Sequence, residues 1–165
     1  MQELTEGQIR SSFVNCGTAD ATRMFVPSGL AFAPWAELDY FGWGDPNTPG
    51  RYSLVYWRED SPAGIVLRRA DRVASRIQVH LCSFCHTPQP ANDVALFVAP
   101  LAGEAGQNGS TVGTYICSEL TCSAHVRLQP HAAPIQPYPS TVMRAYRARL
   151  LERVDRFVAD IERVR

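Results

Sequence analysis

The sequence predicts an α+β fold, in which a small antiparallel sheet lies between helices at the two ends of the chain. Short apolar segments with the alternation of strands are separated by turns rich in glycine and proline. Residues 140–165 carry apolar side chains at the three-and-four spacing of a long amphipathic helix. Four of the five cysteines fall into two close pairs, which indicates a metal-binding cluster within the fold.

The first helix is predicted from its N-terminal cap. Thr5 and Gln8 have the spacing of a capping box ahead of Ile9, so residues 6–15 are expected to be helical. Up to residue 70 the sequence then predicts a short strand at 23–27, one helical turn within 34–41 and a loop dense in glycine and proline at 42–50. A hairpin follows, with strands at 51–57 and 65–70 and its turn at 60–62.

The second half of the chain predicts three strands and a short helix. The strands are 76–81, 93–99 and 111–117, with a mobile surface loop from 103 at least as far as 110. The helix follows Cys122 and runs through Val126. We therefore expect a metal-binding domain over 1–130, a proline-rich linker over 131–139 and a C-terminal helix over 140–165 that packs on the domain.

The C-terminal helix is the clearest element in the sequence, and Ser140 or Thr141 is expected to cap it. Its apolar stripe consists of Met143, Tyr146, Leu150, Val154, Phe157, Val158 and Ile161. Its other face carries Arg144, Arg147, Arg149, Arg153, Arg156 and Arg163. Residues 140–165 hold seven arginines against four acidic residues, which makes this segment modestly basic.

Composition excludes several classes of protein. The net charge is zero, so no global attraction to nucleic acid or to an acidic membrane is expected. All sixteen basic residues are arginine, and a chain without lysine is neither a P-loop NTPase nor a Schiff-base enzyme. The N-terminus lacks the pattern of a signal peptide and no apolar run is long enough to span a membrane, so a cytoplasmic location is expected.

The two cysteine pairs predict a single structural zinc ion. Cys82 and Cys85 have the spacing of a zinc knuckle, and Cys117 and Cys122 supply a second pair at the start of a predicted helix, which Ser118 is expected to cap. A knuckle, intervening strands and a ligand-bearing helix form the layout called a treble clef, centred here on 76–128. Zinc prefers four thiolates in a tetrahedron, and such a closed site holds a fold together.

Three other uses of these cysteines remain as alternatives. Residues 82–86 also spell the attachment motif of c-type haem, and the first pair alone could be a redox dithiol. Both leave the second pair without a role. A catalytic zinc of the deaminase type needs a His-x-Glu motif, which the chain lacks.

The remaining candidate residues have ordinary structural interpretations. His86 is expected to be exposed beside the knuckle, and His131 lies in the linker. His80 and His125 are candidates for hydrogen bonds to a metal ligand. Cys16 stands alone and is expected to be a half-buried apolar side chain.

Several segments together resemble one known family. The string VGTYICSELTCSAHVR (112–127) resembles the signature of the treble-clef zinc-finger domain of bacterial elongation factor G-binding proteins, also called the FBP domain. The segments FGWGDPNTPGRY, CSFCHT and LFVAPLAGEAGQNG are similar to that family as well, and the resemblance runs from about residue 13 to residue 127. It implies a non-catalytic zinc protein that binds elongation factor G, with the four cysteines as metal ligands.

The best-known members of the family carry a helical bundle ahead of this domain, and the two together protect translation against fusidic acid. Only about a dozen residues precede the matching region here, so we expect this protein to be similar to the short stand-alone members, which lack the bundle. A general role in translation or ribosome recycling is therefore the expectation. The expected contact surface lies on the zinc-finger side, at Gln107, Asn108, Tyr115, His125 and Arg127.

Two further functions remain open from the sequence. One is binding of ribosomal RNA or other nucleic acid by the arginine face of the C-terminal helix. The other is an enzyme pocket near Trp43, Asp45 and Arg51, although a packed Trp43 and a surface ion pair between Asp45 and Arg51 explain these residues as well.

Overall fold

A five-stranded antiparallel sheet forms the central layer of the molecule, in the order β1-β2-β3-β6-β7. The computed structural model describes residues 1–70, 79–128 and 139–163. The strands of this sheet are β1 Tyr40–Gly44, β2 Arg51–Arg58, β3 Ser61–Arg69, β6 Val94–Pro100 and β7 Thr111–Cys117. A separate two-stranded ribbon consists of β4 Val79–Leu81 and β5 Pro88–Pro90.

Five α-helices and three short 3-10 turns surround the sheet in the described part of the chain. The α-helices are α1 Glu6–Ser11, α2 Thr18–Arg23, α3 Gly103–Gln107, α4 Cys122–Leu128 and α5 Pro139–Glu162. The 3-10 turns are Leu30–Phe32, Trp35–Glu37 and Ala91–Asp93. Among the described residues, no helix combines the length and the apolar character that a membrane span requires.

One face of the sheet is covered by the four clustered cysteines, α4 and α5. Leu150, Val154 and Ile161 of α5 are fully buried against this face, and burying each such side chain contributes about 1.5–3 kcal/mol. Phe157 of α5 packs on Phe84 of the knuckle, with ring centroids 5.8 Å apart. The apolar stripe that the sequence predicts on this helix is therefore the surface that closes the main core. We call this side of the sheet the zinc face.

The opposite face is covered in part by the N-terminal segment. Trp35 packs there in a second cluster with Trp43 and Val55, which belong to β1 and β2. The segment after α1 then runs beside β3, where Val14 donates to the carbonyl oxygen of Gly64 and Gly64 donates to that of Ser12. In the described chain this cluster draws its strand residues from β1 and β2 alone.

Two elements predicted near the N-terminus are wrong. The first helix has the predicted capping box at Thr5 but ends at Ser11, because the next residues leave it to pair with Gly64 of β3. The strand predicted at 23–27 is absent, and helix α2 occupies Thr18–Arg23 instead. The guanidinium of Arg10 ends this helix, since it donates to the carbonyl oxygens of residues 21, 22 and 24.

The loop predicted at 42–50 begins only after a strand. Its first residues belong to β1, where Gly42 is required because a Cβ atom there would lie 2.7 Å from Cδ1 of Leu120. The hairpin turn predicted at 60–62 lies one residue earlier, at Glu59 and Asp60, and Ser61 is already paired with Arg58. A predicted helical turn within 34–41 is confirmed as the 3-10 turn Trp35–Glu37.

The second half of the chain follows the prediction more closely. The strands at 93–99 and 111–117, the helix after Cys122 and the C-terminal helix are all confirmed. The last begins at Pro139, so Ser140 and Thr141 lie inside it and the cap predicted at these residues is wrong. The surface loop predicted from 103 to 110 is wrong at its start, where α3 forms. The strand predicted at 76–81 is observed for Val79–Leu81, and its first residues lie outside the described range. Most of the predicted linker 131–139, including His131, also lies outside it.

Candidate metal centre

The first cysteine pair lies in a tight knuckle that follows β4. The amide of Cys82 donates to the carbonyl oxygen of Thr87 (3.3 Å), and the amide of His86 donates to that of Cys82 (2.9 Å). His86 has φ +53°, the left-handed conformation that lets the chain turn back within these few residues. Its side chain is exposed, as predicted. The knuckle therefore directs both sulfurs inward.

The second pair joins the end of β7 to the start of α4. Cys117 is the last residue of the strand, and Cys122 is the first of the helix. Leu120, with φ +56°, makes the turn between them, and its amide donates to the carbonyl oxygen of Cys117 (3.0 Å). The prediction that Ser118 caps this helix is wrong, because its hydroxyl donates to the carbonyl oxygen of Asn92 instead (3.4 Å).

The four sulfurs form a compact buried cluster. All lie within 4.8 Å of one another. The Cys82–Cys122 and Cys85–Cys117 sulfurs are 3.6 Å and 3.8 Å apart. Tetrahedral zinc with Zn–S bonds of about 2.3 Å requires sulfurs about 3.8 Å apart. These two distances match that value, and the whole cluster is compact enough for four sulfurs to bind one ion.

Crowding also separates the pKa values of the thiols. Hydrogen bonds from Cys117 and then Cys122 lower the pKa of Cys82, whereas hydrogen bonds from Cys117 and Cys82 raise the pKa of Cys122. In the crowded cluster the thiols therefore differ in how readily they lose their protons. A divalent cation removes this inequality, because it stabilises all four thiolates together.

Two side chains support the ligands from outside the cluster. His125 places Nδ1 3.2 Å from the sulfur of Cys117, where it can donate to the thiolate, as the sequence predicts for this histidine. Tyr40 is fully buried, and its hydroxyl has no hydrogen bond of ordinary geometry in the described part of the chain. Burial first, and then the nearby Cys122 thiol, raises the pKa of Tyr40. An orphaned hydroxyl beside a cysteine sulfur becomes a donor once that sulfur is a thiolate.

A buried carboxylate links the N-terminal segment to both helices of the zinc face. The side chain of Asp39 is completely buried, and its two oxygens accept from Arg127 of α4 (2.6 Å) and Arg147 of α5 (2.7 Å). The backbone amide of Asp39 donates to the hydroxyl of Ser123 (2.9 Å). Sequence reasoning missed Asp39 and Tyr40, since no local pattern marks either residue.

The predicted contact residues have different surroundings. Gln107, Asn108 and Tyr115 are exposed, and Tyr115 stacks on His80 with ring centroids 6.2 Å apart. His80 therefore does not take the ligand-supporting role considered for it. His125 and Arg127 are half-buried, and each already binds within the chain, as described above.

The residues considered for an enzyme pocket do not come together as a charged site. Trp43 is buried and donates to the carbonyl oxygen of Phe25 (3.0 Å). Asp45 and Arg51 bond through their backbones (2.8 Å). Within residues 1–70, which the structure describes in full, their side chains form no ion pair. Cys16 is half-buried, as predicted.

A knuckle, a strand pair and a ligand-bearing helix around four buried cysteines define a zinc finger of the treble-clef class, which binds one structural zinc ion. The family model described as the FBP C-terminal treble-clef zinc-finger matches residues 8–161, and the chain belongs to this family. The match confirms the resemblance seen in the sequence. No curated protein and no solved structure matches the chain.

Proposed function

We propose that this protein is a zinc-dependent binding partner of elongation factor G that modulates the action or release of the factor on the ribosome, in the cytoplasm. Family membership over residues 8–161 is the observation that carries the proposal. The zinc site is consistent with it, because four thiolate ligands fill the coordination sphere and leave no open position for a substrate. The protein would act by binding and would make or break no bond.

The proposed contact surface includes the exposed residues Gln107, Asn108 and Tyr115. Tyr115 is 51% exposed in a strand whose buried residues belong to the core, and exposed aromatic side chains are frequent anchors of protein interfaces. His125 and Arg127 would contribute through the parts of their side chains that remain accessible. Their internal bonds to Cys117 and Asp39 would hold the helix that presents them.

The structure of the arginine face of α5 supports nucleic-acid binding less than the sequence alone does. Arg147 pairs with the buried Asp39, and the guanidinium of Arg153 donates to the carbonyl oxygen of Phe84 (2.8 Å). Arg156 and Arg163 pair with acids on the same helix. Few of these charges are therefore available for phosphates, and a protein partner is the better supported proposal.

Titration of purified elongation factor G with the zinc-loaded protein tests the proposed function. We expect saturable one-to-one binding that is lost when a chelator removes the zinc, and no binding of comparable strength to ribosomal RNA. Absence of binding by a protein of verified zinc content would refute the proposal. Binding of RNA alone, lost on changing Arg147, Arg149 and Arg153 to alanine, would favour the nucleic-acid function instead.

A further inference from the structure

Part of the sheet opposite the zinc face forms an open cleft. Cross-strand partners lie on the same side of a sheet, so Arg51, Arg68, Val98 and Gly113 form a row across β2, β3, β6 and β7. The packed N-terminal segment covers β1 and β2 on this side. Beyond it lies a cleft of about 1050 Å³, which is lined by Arg51, Arg68 and Val98 of this row together with Val66 and Pro100. We call it the arginine cleft.

A splayed junction between two strands shapes the arginine cleft. Within the described residues, β3 and β6 pair at two positions, Arg68 with Val98 and Arg69 with Phe97, and the amide of Ala70 donates to the carbonyl oxygen of Leu96 (2.9 Å). Beyond these positions Asn15 bridges the strands, because its side-chain amide donates to the carbonyl oxygens of Val66 (3.0 Å) and Pro100 (3.1 Å). The sheet side of the cleft is thus part of the fold, and residues 48–50, 106 and 109 complete its lining.

Arg51 and Arg68 are unfavourably placed for a structure without a ligand. They are direct cross-strand partners. The backbone of Arg51 bonds away from β3, to Thr48 and Asp45. The pair is therefore of the non-hydrogen-bonded kind, in which Cα atoms are about 4.5 Å apart and side chains are closest. Like charges placed directly opposite each other destabilise a sheet.

No acidic side chain compensates these two arginines within residues 1–70, 79–128 and 139–163. The neighbouring Arg69, on the other side of the sheet, pairs with Glu119 (3.6 Å) and lies over the ring of Tyr52. Asp20 lines a smaller cavity that adjoins the cleft, but its carboxylate pairs with Arg23 (3.1 Å). Asp45 bonds to Arg51 through its backbone, and its carboxylate accepts from the amide of Asn47 (2.8 Å). In the described part of the chain neither Asp20 nor Asp45 forms an ion pair with Arg51.

We propose that the arginine cleft receives a carboxylate-bearing segment of the protein partner, with Arg51 and Arg68 binding one or two Asp or Glu side chains of that partner. The inference rests on the proposed function and names the chemistry of its contact. Paired arginines suit carboxylates because each guanidinium offers parallel N–H donors. The partner segment would relieve the repulsion that the free protein contains.

The floor of the cleft favours a protein segment over nucleic acid. Val66, Val98 and Pro100 lie beside the arginines, so the lining combines apolar side chains with one concentrated positive point. A nucleic-acid strand needs a basic track along successive phosphates. Tyr115 lies on the same side of β7 as Gly113, two residues further along the strand, and extends the surface toward the proposed contact residues.

Titration of elongation factor G with charge-removed variants tests the proposal. We expect Arg51→Gln with Arg68→Gln to raise Kd about tenfold or more, and to weaken the dependence of Kd on salt. Arg144→Gln with Arg149→Gln removes two exposed arginines of α5 and is the matched control, for which Kd should be unchanged. Thermal melting and zinc content establish that each variant is folded. If the double variant does not fold, Arg51→Gln and Arg68→Gln are tested singly.

The outcomes separate this inference from the function on which it rests. Failure of the unmodified, zinc-loaded protein to bind would overturn the proposed function and the role of the cleft with it. Normal binding by the folded double variant, beside binding by the unmodified protein, would overturn the cleft alone. Poly-L-glutamate should compete with the factor at low salt, and stronger competition by oligo-uridylate of the same charge would overturn the assignment to carboxylates.

Discussion

The two faces of the sheet use arginine in opposite ways. On the zinc face, Arg127 and Arg147 converge on the buried carboxylate of Asp39. On the other face, Arg51 and Arg68 stand side by side without a carboxylate in the described part of the chain. The first arrangement joins three segments that are distant in sequence. The second is accessible to solvent, and we assign it to a partner.

Burial explains why the two arrangements differ in consequence. A buried charge that loses its partner costs several kcal/mol, because water cannot replace the lost contact. An exposed like-charge pair costs much less, since water and salt screen it. A chain can therefore keep uncompensated arginines at a surface for binding, whereas Asp39 must be neutralised within the fold.

Removal of the zinc should affect the zinc face most of all. We expect Cys117→Ser to abolish cooperative folding, because zinc binding contributes about 10–16 kcal/mol in small zinc domains, as much as the whole stability of a typical domain. Circular dichroism, thermal melting and measured zinc content provide the test. Cys16→Ser is the matched control and should melt like the unmodified protein. A zinc-free Cys117→Ser protein that melts cooperatively near the normal Tm would refute a structural role for the ion.

Loss of the buried carboxylate should have the next largest effect. Asp39→Ala is expected to cost about 1.5–3 kcal/mol of unfolding free energy, because it removes charge-assisted hydrogen bonds from the partly buried Arg127 and Arg147. Urea denaturation measures this cost. Asp155→Asn is the comparison, since Asp155 pairs with Arg58 but is half exposed, and a cost below about 1 kcal/mol is expected there. Equal costs at the two sites would contradict the distinction drawn from burial.

The contribution of Asp155 to the free energy of unfolding should change with pH in a defined direction. A hydrogen bond from Tyr56 and then the contact with Arg58 lower the pKa of Asp155 below its ordinary value. Its contribution is therefore complete above that ordinary value and is lost only as the pH falls through the lowered pKa. The difference between Asp155→Asn and the unmodified protein should stay constant between about pH 6 and pH 8.

The buried hydroxyl beside Cys122 should affect zinc affinity more than stability. We expect Tyr40→Phe to weaken zinc binding about tenfold, because a donor to the thiolate is lost while the ring still fills its place. Competition with a chromophoric chelator measures the affinity. Tyr146→Phe, at a half-buried position on α5, should leave the affinity unchanged. A Tyr40→Phe protein with unaltered zinc affinity would show that the hydroxyl does not reach the ligand.

The smallest expected effect lies in the arginine cleft. Arg68→Glu converts a repulsive cross-strand pair into an attractive one, so the free protein should gain about 0.2–1 kcal/mol. For a chain of this size the gain corresponds to a rise in Tm of about 0.4–4 °C. A fall in Tm on this exchange would mean that Arg51 and Arg68 do not repel each other in the free protein.

The sequence predicted features correctly where the residues that encode them are close together in the chain. Cys82 and Cys85, the capping box at Thr5 and the stripe of α5 are recorded within a few neighbouring residues, and the structure contains each of them as predicted. The strand β1 was missed because a Gly-Trp-Gly sequence is typical of a loop. It becomes a strand by pairing with β2, where Gly42 makes room for Leu120.

The sequence by itself determined the zinc ligands, the family and most of the elements, because spacing and periodicity are local properties of a chain. Only the tertiary structure decided which charges are neutralised. Asp39 meets Arg147 from 108 positions away, and Arg51 meets Arg68 through the register of a hairpin. Coulomb interactions depend on distance in space and on burial, and neither quantity can be read from the order of residues.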